Sequence, residues 1–272
     1  MAGRVSSQAR PRGRHALRSR AFADELVRDA GVAPGSLVLD LGAGGGALTR
    51  ALGAAGARVR AIELDPAALQ QLQRRFGADP RIEIVEGDAT VLPLPAEPFA
   101  VVANLPFAAG TAILRRLLGD PRVALTQLDA IVEWGLAAKR TAVWPSTQLG
   151  CTWGAWYELS LVRRVPRACF APRPSVEAAV LRATRRPDPL IAPEHSAEYT
   201  RLLQRAFAAQ APLDRVFPRA LVHRIAHELG FDPHACARDL DARQWAALYA
   251  VVRSATPRPG ATGSRRRRGS RR

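Results

Sequence analysis

The sequence predicts an α/β fold: a mostly parallel sheet flanked by helices, followed by a smaller all-helical unit. Apolar, strand-like runs alternate with helix-periodic stretches from residue 36 to residue 134. Two later runs, 156–165 and 175–183, have no helical pattern between them. After "RRPDP" at 185–189 the strand patterns stop and only helical periodicity remains. Alternation of this kind requires a parallel sheet with right-handed crossovers, and two late strands joined by a Pro-rich loop require an antiparallel pair at one edge.

"SLVLDL" (36–41) is a buried strand, followed by a Gly-rich turn and the helix "ALTRALGAAG" (47–56). "RVRAIEL" (58–64) is the second strand; Pro66 suits a helix start, and "AALQQLQRRF" has helical period. "RIEIVEG" (81–87) alternates as the third strand and "FAVVAN" (99–104) is the fourth. "TAILRRLLG" (111–119) is a short helix ending in Gly, and "LDAIVEW" (128–134) is the fifth strand. In the C-terminal part, "SAEYTRLLQRAFAAQ", "RALVHRIAHELG" and "DARQWAALYAVV" are helices, the last with Asp241 as N-cap. A boundary near 186–192 divides the chain into a sheet domain, 19–187, and a helical domain, 188–255.

The chain has 272 residues, of which 47% are hydrophobic, enough for a sizeable core. No run of 18 apolar residues occurs, which predicts no membrane span, and the N-terminus lacks the apolar stretch of a secretory signal. Cys151, Cys169 and Cys236 are scattered, with no metal-ligand spacing. Reduced thiols in a cytoplasmic protein without a metal are the expectation. The formal charge is +16, and it is concentrated at the ends. Arg4, Arg10, Arg12, Arg14, Arg18 and Arg20 lie in an acid-free arm, and "SRRRRGSRR" (264–272) carries six more. Without these twelve, 28 basic residues face 24 acids, a body of only +4. The expectation is a basic arm at 1–18 and a disordered Arg-rich tail at 256–272, both suited to a polyanion.

Four strand ends carry the chemistry. "DLGAGGGALT" (40–49) places Gly42, Gly44 and Gly46 where the backbone must turn and approach a ligand closely. This also fits the dinucleotide fingerprint Gly42-x-Gly44-x-x-Ala47. Glu63 closes the second strand, where a carboxylate suits ribose hydroxyls of a nicotinamide or an S-adenosylmethionine cofactor. Asp88, after the third strand, is placed for the exocyclic amine of an adenine, and Ala89 for its ring through a backbone N–H. The fourth strand ends in Asn104-Leu105-Pro106-Phe107. An amide, a rigid turn and a flat ring suit a polar-edged planar group such as a nucleobase. All four positions lie on the edge where open α/β sheets bind ligands.

The set "VLDLGAGGGALT", "AIELD", "VEGDA" and "VANLPF" resembles the ribosomal RNA adenine N6-methyltransferases. That family joins the erythromycin-resistance (Erm) enzymes of large-subunit rRNA to the small-subunit adenine dimethyltransferases. "IVEWGLAAKR" (131–140) is similar to the Erm branch, "FAPRPSVEAAVLR" (170–182) to the family's Phe-x-Pro-x-Pro-x-Val segment, and "LDARQWAALYAVV" (240–252) to the last Erm helix. The resemblance spans about residues 13–253. It implies a class I S-adenosylmethionine-dependent methyltransferase with a Rossmann-like, mostly parallel seven-stranded sheet and a helical RNA-binding domain. It also implies a monomer acting on adenine N6 of 23S rRNA and conferring macrolide-type resistance. The alternatives are a small-subunit enzyme acting on 16S rRNA and a non-catalytic RNA-binding relative.

By the same resemblance Asn104 and the Leu105 carbonyl accept the two amine hydrogens, Pro106 shapes the turn and Phe107 stacks on the base. His15, Leu17, Gly42, Gly44, Glu63, Asp88, Ala89 and Asn104 form the cofactor set. Phe170 and Arg140 are substrate contacts, Phe170 with a core role as its alternative. Trp134, Trp144, Trp153 and Trp156 are expected to pack rather than bind bases. One segment departs from the family: where Gly-Gln-Asn-Phe-Leu is usual, this chain has Gly13-Arg14-His15-Ala16-Leu17. His15 or Arg14 can donate to the cofactor's carboxylate end, or the segment only packs.

An Arg run contacts phosphates, which carry no sequence information. Deleting residues 256–272 is therefore expected to weaken RNA binding and flatten its salt dependence, by roughly 0.7–0.9 in log–log slope per lost phosphate contact. The modified adenine should not change. A salt titration with modification mapping checks this; an unchanged slope makes the tail a bystander, and a moved adenine gives it a part in recognition.

Overall fold

The computed structural model describes residues 15–255, so Gly13, Arg14, most of the N-terminal arm and the whole tail at 256–272 lie outside the described residues. The elements, in order, are β1 (Ala16–Leu17), α1 (Arg20–Asp29), β2 (Leu37–Leu41), α2 (Ala47–Ala54), β3 (Arg58–Glu63), α3 (Pro66–Phe76) and β4 (Ile82–Glu86). Then come β5 (Phe99–Asn104), α4 (Gly110–Leu118), β6 (Leu125–Glu133), α5 (Trp134–Thr141), α6 (Gln148–Gly154), β7 (Tyr157–Val165), β8 (Phe170–Ala171) and β9 (Ala178–Arg185). The C-terminal helices are α7 (Ser196–Ala209), α8 (Leu213–Val216), α9 (Arg219–Leu229) and α10 (Ala242–Ala255).

The main sheet has seven strands in the order β4-β3-β2-β5-β6-β9-β7. Strands β4 through β6 pair in parallel, while β9 runs antiparallel to both β6 and β7. The expected antiparallel pair at one edge is present. The sequence pattern did not show the small second sheet, in which β1 pairs antiparallel with β8 through Ala16↔Ala171 and Leu17↔Phe170.

Local chemistry explains the boundaries. Asp65 Oδ1 accepts from the Ala67 and Ala68 amides at 2.9 and 3.0 Å, and Pro66 follows at the first helical position of α3. Asp241 caps α10 as expected: its carboxylate accepts from Gln244 N at 2.8 Å and Gln244 Oε1 accepts from Asp241 N at 3.0 Å, a capping box. Helix α2 differs. Gly46 precedes it in the left-handed region, φ 76°, and no side chain caps its first turn.

Alternate residues of β5 feed opposite faces of the sheet, as strand pleating requires. Val102 joins α1 and α2 in one core, with Leu26, Leu48 and Leu52. Val101 and Ala103 join α4 in the other, with Ile113, Leu114 and Leu117. This second core runs without interruption past residue 188 to Tyr199, Leu203 and Trp245. The buried aromatics there keep their polar atoms satisfied. Trp156 Nε1 donates to Ile191 O at 2.8 Å, Tyr199 OH to Cys151 O at 3.2 Å, and Trp245 Nε1 to Ala237 O at 3.1 Å. Trp153 and Trp156 pack as expected, but Trp144 does not: the residue is 65% exposed, with Nε1 donating to Asp239 O at 3.0 Å.

At Gly46, a Cβ would meet Phe76 at 2.5 Å and Leu72 at 2.9 Å, and φ is unfavourable for any L side chain. Gly46→Ala is expected to destabilise by about 1–3 kcal/mol through overpacking and strain. Urea denaturation should show a lower midpoint at unchanged slope. An unshifted midpoint would mean that α3 is not seated firmly on the turn.

Candidate active site at the strand ends

The turn after β2 is pinned to β3. The Gly42 and Ala43 amides donate to Ile62 O at 2.8 and 3.1 Å. Gly42 has φ 73°, and a Cβ there would lie 3.4 Å from Pro106 Cδ. The first glycine therefore lets the β2 turn lie against the Asn104-Leu105-Pro106-Phe107 turn of β5.

Glu63, buried at the end of β3, has an oriented carboxylate. Oε2 accepts from Gly44 N at 2.8 Å, and Oε1 from Leu64 N at 2.9 Å and Asp65 N at 2.8 Å. Backbone donors hold the acid against the glycine turn, as charge-assisted bonds do best. Gly87 N donates to Glu63 O at 3.0 Å, which brings Asp88 and Ala89 alongside. Asp88 is exposed. Its Oδ1 accepts from Thr90 N at 2.8 Å and Thr90 Oγ1 at 2.7 Å, and these bonds hold its pKa below the usual carboxylate value.

Asn104 is the focus of the site. Its Nδ2 donates to the His15 carbonyl at 2.8 Å, while its Oδ1 is buried and has no hydrogen-bond partner. Leu105 N donates to Ile131 O at 3.1 Å, which extends the β5–β6 ladder into the turn. The His15 ring lies 5.5 Å from that of Phe107, tilted by 47°, with Nδ1 3.0 Å from Pro172 O. The divergent N-terminal segment thus reaches the site through a main-chain carbonyl, and its imidazole rests on Phe107 and Pro172. Leu17 is buried in the core around α1.

The two expected substrate contacts, Phe170 and Arg140, are placed as follows. Phe170 is 3% exposed and packs in the α1/α2 core opposite Leu17, the alternative role considered for it. Arg140, on α5, lies over the Trp153 ring at 5.8 Å and donates to Thr147 Oγ1 at 3.2 Å; burial, then the nearby Arg115, lowers its pKa. It lines a groove of about 190 Å³ with Ser146, Arg186, Asp241 and Arg243, between α5, α6 and the start of α10. Sequence reasoning missed Asp40. It is buried at the end of β2, accepts from Thr49 Oγ1 at 2.7 Å, and its pKa is raised to about 7, first by burial and lastly by Glu63. The signal was an acid inside the apolar run "LVLDL".

Residues 7–253 match the family described as "Ribosomal RNA adenine dimethylase". The chain belongs to the ribosomal RNA adenine dimethylase family. Over 210 residues it is 37% identical to the mycinamicin-resistance protein MyrB of Micromonospora griseorubida, covering 75% of this chain and 66% of that protein. Over 217 residues it is 34% identical to ribosomal RNA small subunit methyltransferase A of Synechococcus sp. (strain JA-3-3Ab), covering 75% and 76%. The crystal structure of 23S rRNA methyltransferase ErmE is similar with a TM-score of 0.77 at 29% identity, covering 87% of this chain and 99% of that one. As a member of the ribosomal RNA adenine dimethylase family, the chain is an S-adenosylmethionine-dependent methyltransferase of class I. The site suits that cofactor: a glycine turn leads into the uncapped N-terminus of α2, and an oriented acid closes the next strand.

Asp40 gives this family member a pH signature. Its pKa is 3.8 ordinarily and about 7 in the fold. A raised carboxylate pKa means the folded state holds the proton more tightly. The contribution to stability is full below about pH 4 and is lost as pH rises through about 7. The melting temperature of Asp40→Asn, relative to the parent, should therefore rise between about pH 5 and about pH 8. A pH-independent difference would show that Asp40 does not titrate there.

Proposed function

We propose that this protein transfers methyl groups to the exocyclic N6 of a specific adenine in 23S rRNA and so confers resistance to macrolide-type antibiotics. One observation carries the adenine chemistry: the buried Asn104 Oδ1 has no partner, while its Nδ2 is tied to His15 O. A lone acceptor fixed beside a partly exposed aromatic ring suits an amine on a flat base.

S-adenosylmethionine supplies an already electrophilic methyl group, so the protein's work is orientation. Asn104 Oδ1 and the Leu105 carbonyl would accept the two amine hydrogens and so orient the nitrogen lone pair. Phe107 stacks on the base, a contact worth about 1–3 kcal/mol. The base is unpaired or flipped before it enters. Glu63 would hold the ribose hydroxyls, Asp88 and Ala89 the adenine edge of the cofactor, and Gly42 and Gly44 would allow its close approach. As the N–C bond forms the S–C bond would break, leaving the neutral thioether S-adenosylhomocysteine, and the acidic methylated nitrogen would lose its proton to water, so no general base is needed.

The 23S assignment is supported by the likeness to MyrB and ErmE. The likeness to small-subunit methyltransferase A sustains a second candidate, 16S rRNA. The helical part, the Arg140 groove and exposed Trp144 are the proposed RNA face. The protein acts as a cytoplasmic monomer in this proposal, and no described helix is long and apolar enough to cross a membrane.

Mass mapping of rRNA from cells with and without the gene tests the target. A new N6-methyladenine in 23S rRNA is expected; modification confined to 16S rRNA would replace the first candidate with the second. Asn104→Ala should lower the single-turnover rate at least about 100-fold while cofactor affinity stays within a few-fold, the pattern of a contact made mainly in the transition state. Glu63→Ala should instead weaken cofactor binding by about 1.5–3 kcal/mol in calorimetry. A near-normal rate for the Asn104 variant would sink the orientation mechanism.

A further inference from the structure

Far along the chain from the strand-end residues, the helical part gathers Asp214 on α8, His223 on α9 and His234 on the following loop. Each offers one ligand atom, and the three atoms lie within 4.8 Å of one another. Asp214 Oδ2 is 3.2 Å from His234 Nδ1 and 3.6 Å from His223 Nε2. Tetrahedral Zn²⁺ with bonds of about 2.0–2.1 Å has ligand–ligand edges of about 3.3 Å. Both measured separations bracket that edge, so two of the three edges need almost no adjustment.

The fold accounts for only half of the carboxylate: Oδ2 has His234 Nδ1 at 3.2 Å, while Oδ1 has nothing. The Asp214 side chain is only 8% exposed, and its Oδ1 is buried without a hydrogen-bond partner. A carboxylate so placed is costly unless a cation or donors compensate it. The cation at hand is Arg219, whose Nε stands 3.7 Å from Oδ2, beyond hydrogen-bonding range, on a side chain that is 72% exposed. The same Nε donates to His223 Nε2 at 3.4 Å, so the lone pair of that nitrogen is engaged by Arg219 and reaches an ion once Arg219 moves away. Arg219 can swing into water and leave the position to an ion.

The backbone holds the arrangement. Pro212 and Cys236 form an antiparallel bridge, and Leu213 N donates to Ala235 O at 2.9 Å, which fixes the His234 loop against α8. Separations of 9 and 11 residues match no ligand motif, which is why the sequence predicted no metal; the bridge, not the spacing, makes the cluster.

We infer that Asp214, His223 and His234 form a Zn²⁺ site that clamps α8, α9 and the loop after α9 together. Two imidazoles and one carboxylate suit a borderline ion over Mg²⁺ or Ca²⁺, which prefer all-oxygen shells. The fourth position opens toward solvent on the His234 side and takes water. The ion stabilises the folded helical part by binding it in preference to the unfolded chain. This inference is independent of the strand-end chemistry.

The test uses untagged full-length protein stripped with a chelator and titrated with Zn²⁺ alone by calorimetry, with Co²⁺ as a spectroscopic substitute. One ion per chain, visible bands of four-coordinate Co²⁺ and a raised melting temperature are expected. His223→Ala and His234→Ala, both at partly exposed side chains, should each weaken binding at least tenfold with the circular dichroism spectrum unchanged. Cys236→Ser, beside the cluster, should bind as the parent does. The inference is overturned by the absence of saturable one-to-one binding, by binding that survives the double histidine variant, or by binding lost with Cys236.

Discussion

The hydrogen bond from Asn104 Nδ2 to the His15 carbonyl decides what the site can do. An amide carries a donor end and an acceptor end, and only its partners fix which way it points. Here the donor end is tied to main chain, so the acceptor end is the one left bare. A buried oxygen without a partner costs about 1–3 kcal/mol. The amide cannot relieve that cost by flipping without losing the His15 bond. Nor can the backbone retreat, because Leu105 N is held by Ile131 O on β6. His15 is held in turn by the β1–β8 pairing that begins at the next residue. A two-residue strand pair, anchored in the core by Leu17 and Phe170, is what gives Asn104 its direction.

Three acids at three successive strand ends show how environment divides one chemistry into separate roles. Asp40 is enclosed, and burial pushes its pKa to about 7. Glu63, one strand away, is also buried but is held by backbone amides from two turns. Asp88 stands in solvent, and Thr90 lowers its pKa. Desolvation governs the first, and hydrogen bonds to the charged form govern the third. Asp40 and Asp88 both accept from a threonine hydroxyl, so enclosure and not the type of partner separates them.

Much of the sheet was legible because each strand is a short apolar run closed by turn chemistry, and the candidate site residues are those that stand at the closures. The features that escaped have physical reasons. Helix α5 starts directly after β6 with no turn residue between them, and α6 has only seven residues, two of them glycine. Strands β1 and β8 are two residues each, and their partner lies more than 150 positions away. Trp144 was expected to pack because large aromatics usually do, yet it lies on the loop between α5 and α6, with Nε1 donating to Asp239 O. Phe170 has the composition of a stacking residue, but pairing of its strand with β1 turns it into the core. That the His15 carbonyl would accept from Asn104 was not readable from residue type, since every residue has a carbonyl.

The change of texture after residue 189 has a different meaning in the fold than in the sequence. Composition suggests two units, but the hydrophobic core does not stop at the junction. Tyr199 packs edge-on against Trp156 at 6.1 Å and against Tyr249 at 5.5 Å, linking β7's approach to α7 and α10. Their polar ends are satisfied across the junction, Tyr199 OH on Cys151 O and Trp156 Nε1 on Ile191 O. Separating the helices from the sheet would expose several large aromatics and orphan those donors together. The seam should therefore open far less readily than a polar interdomain interface. The Arg140 groove lies on this seam, lined by residues of α5, α6 and the start of α10. Any RNA bound there meets a surface whose position relative to Asn104 is set by the core beneath it, so a contact on the seam can select which adenine reaches the strand ends without any closing motion.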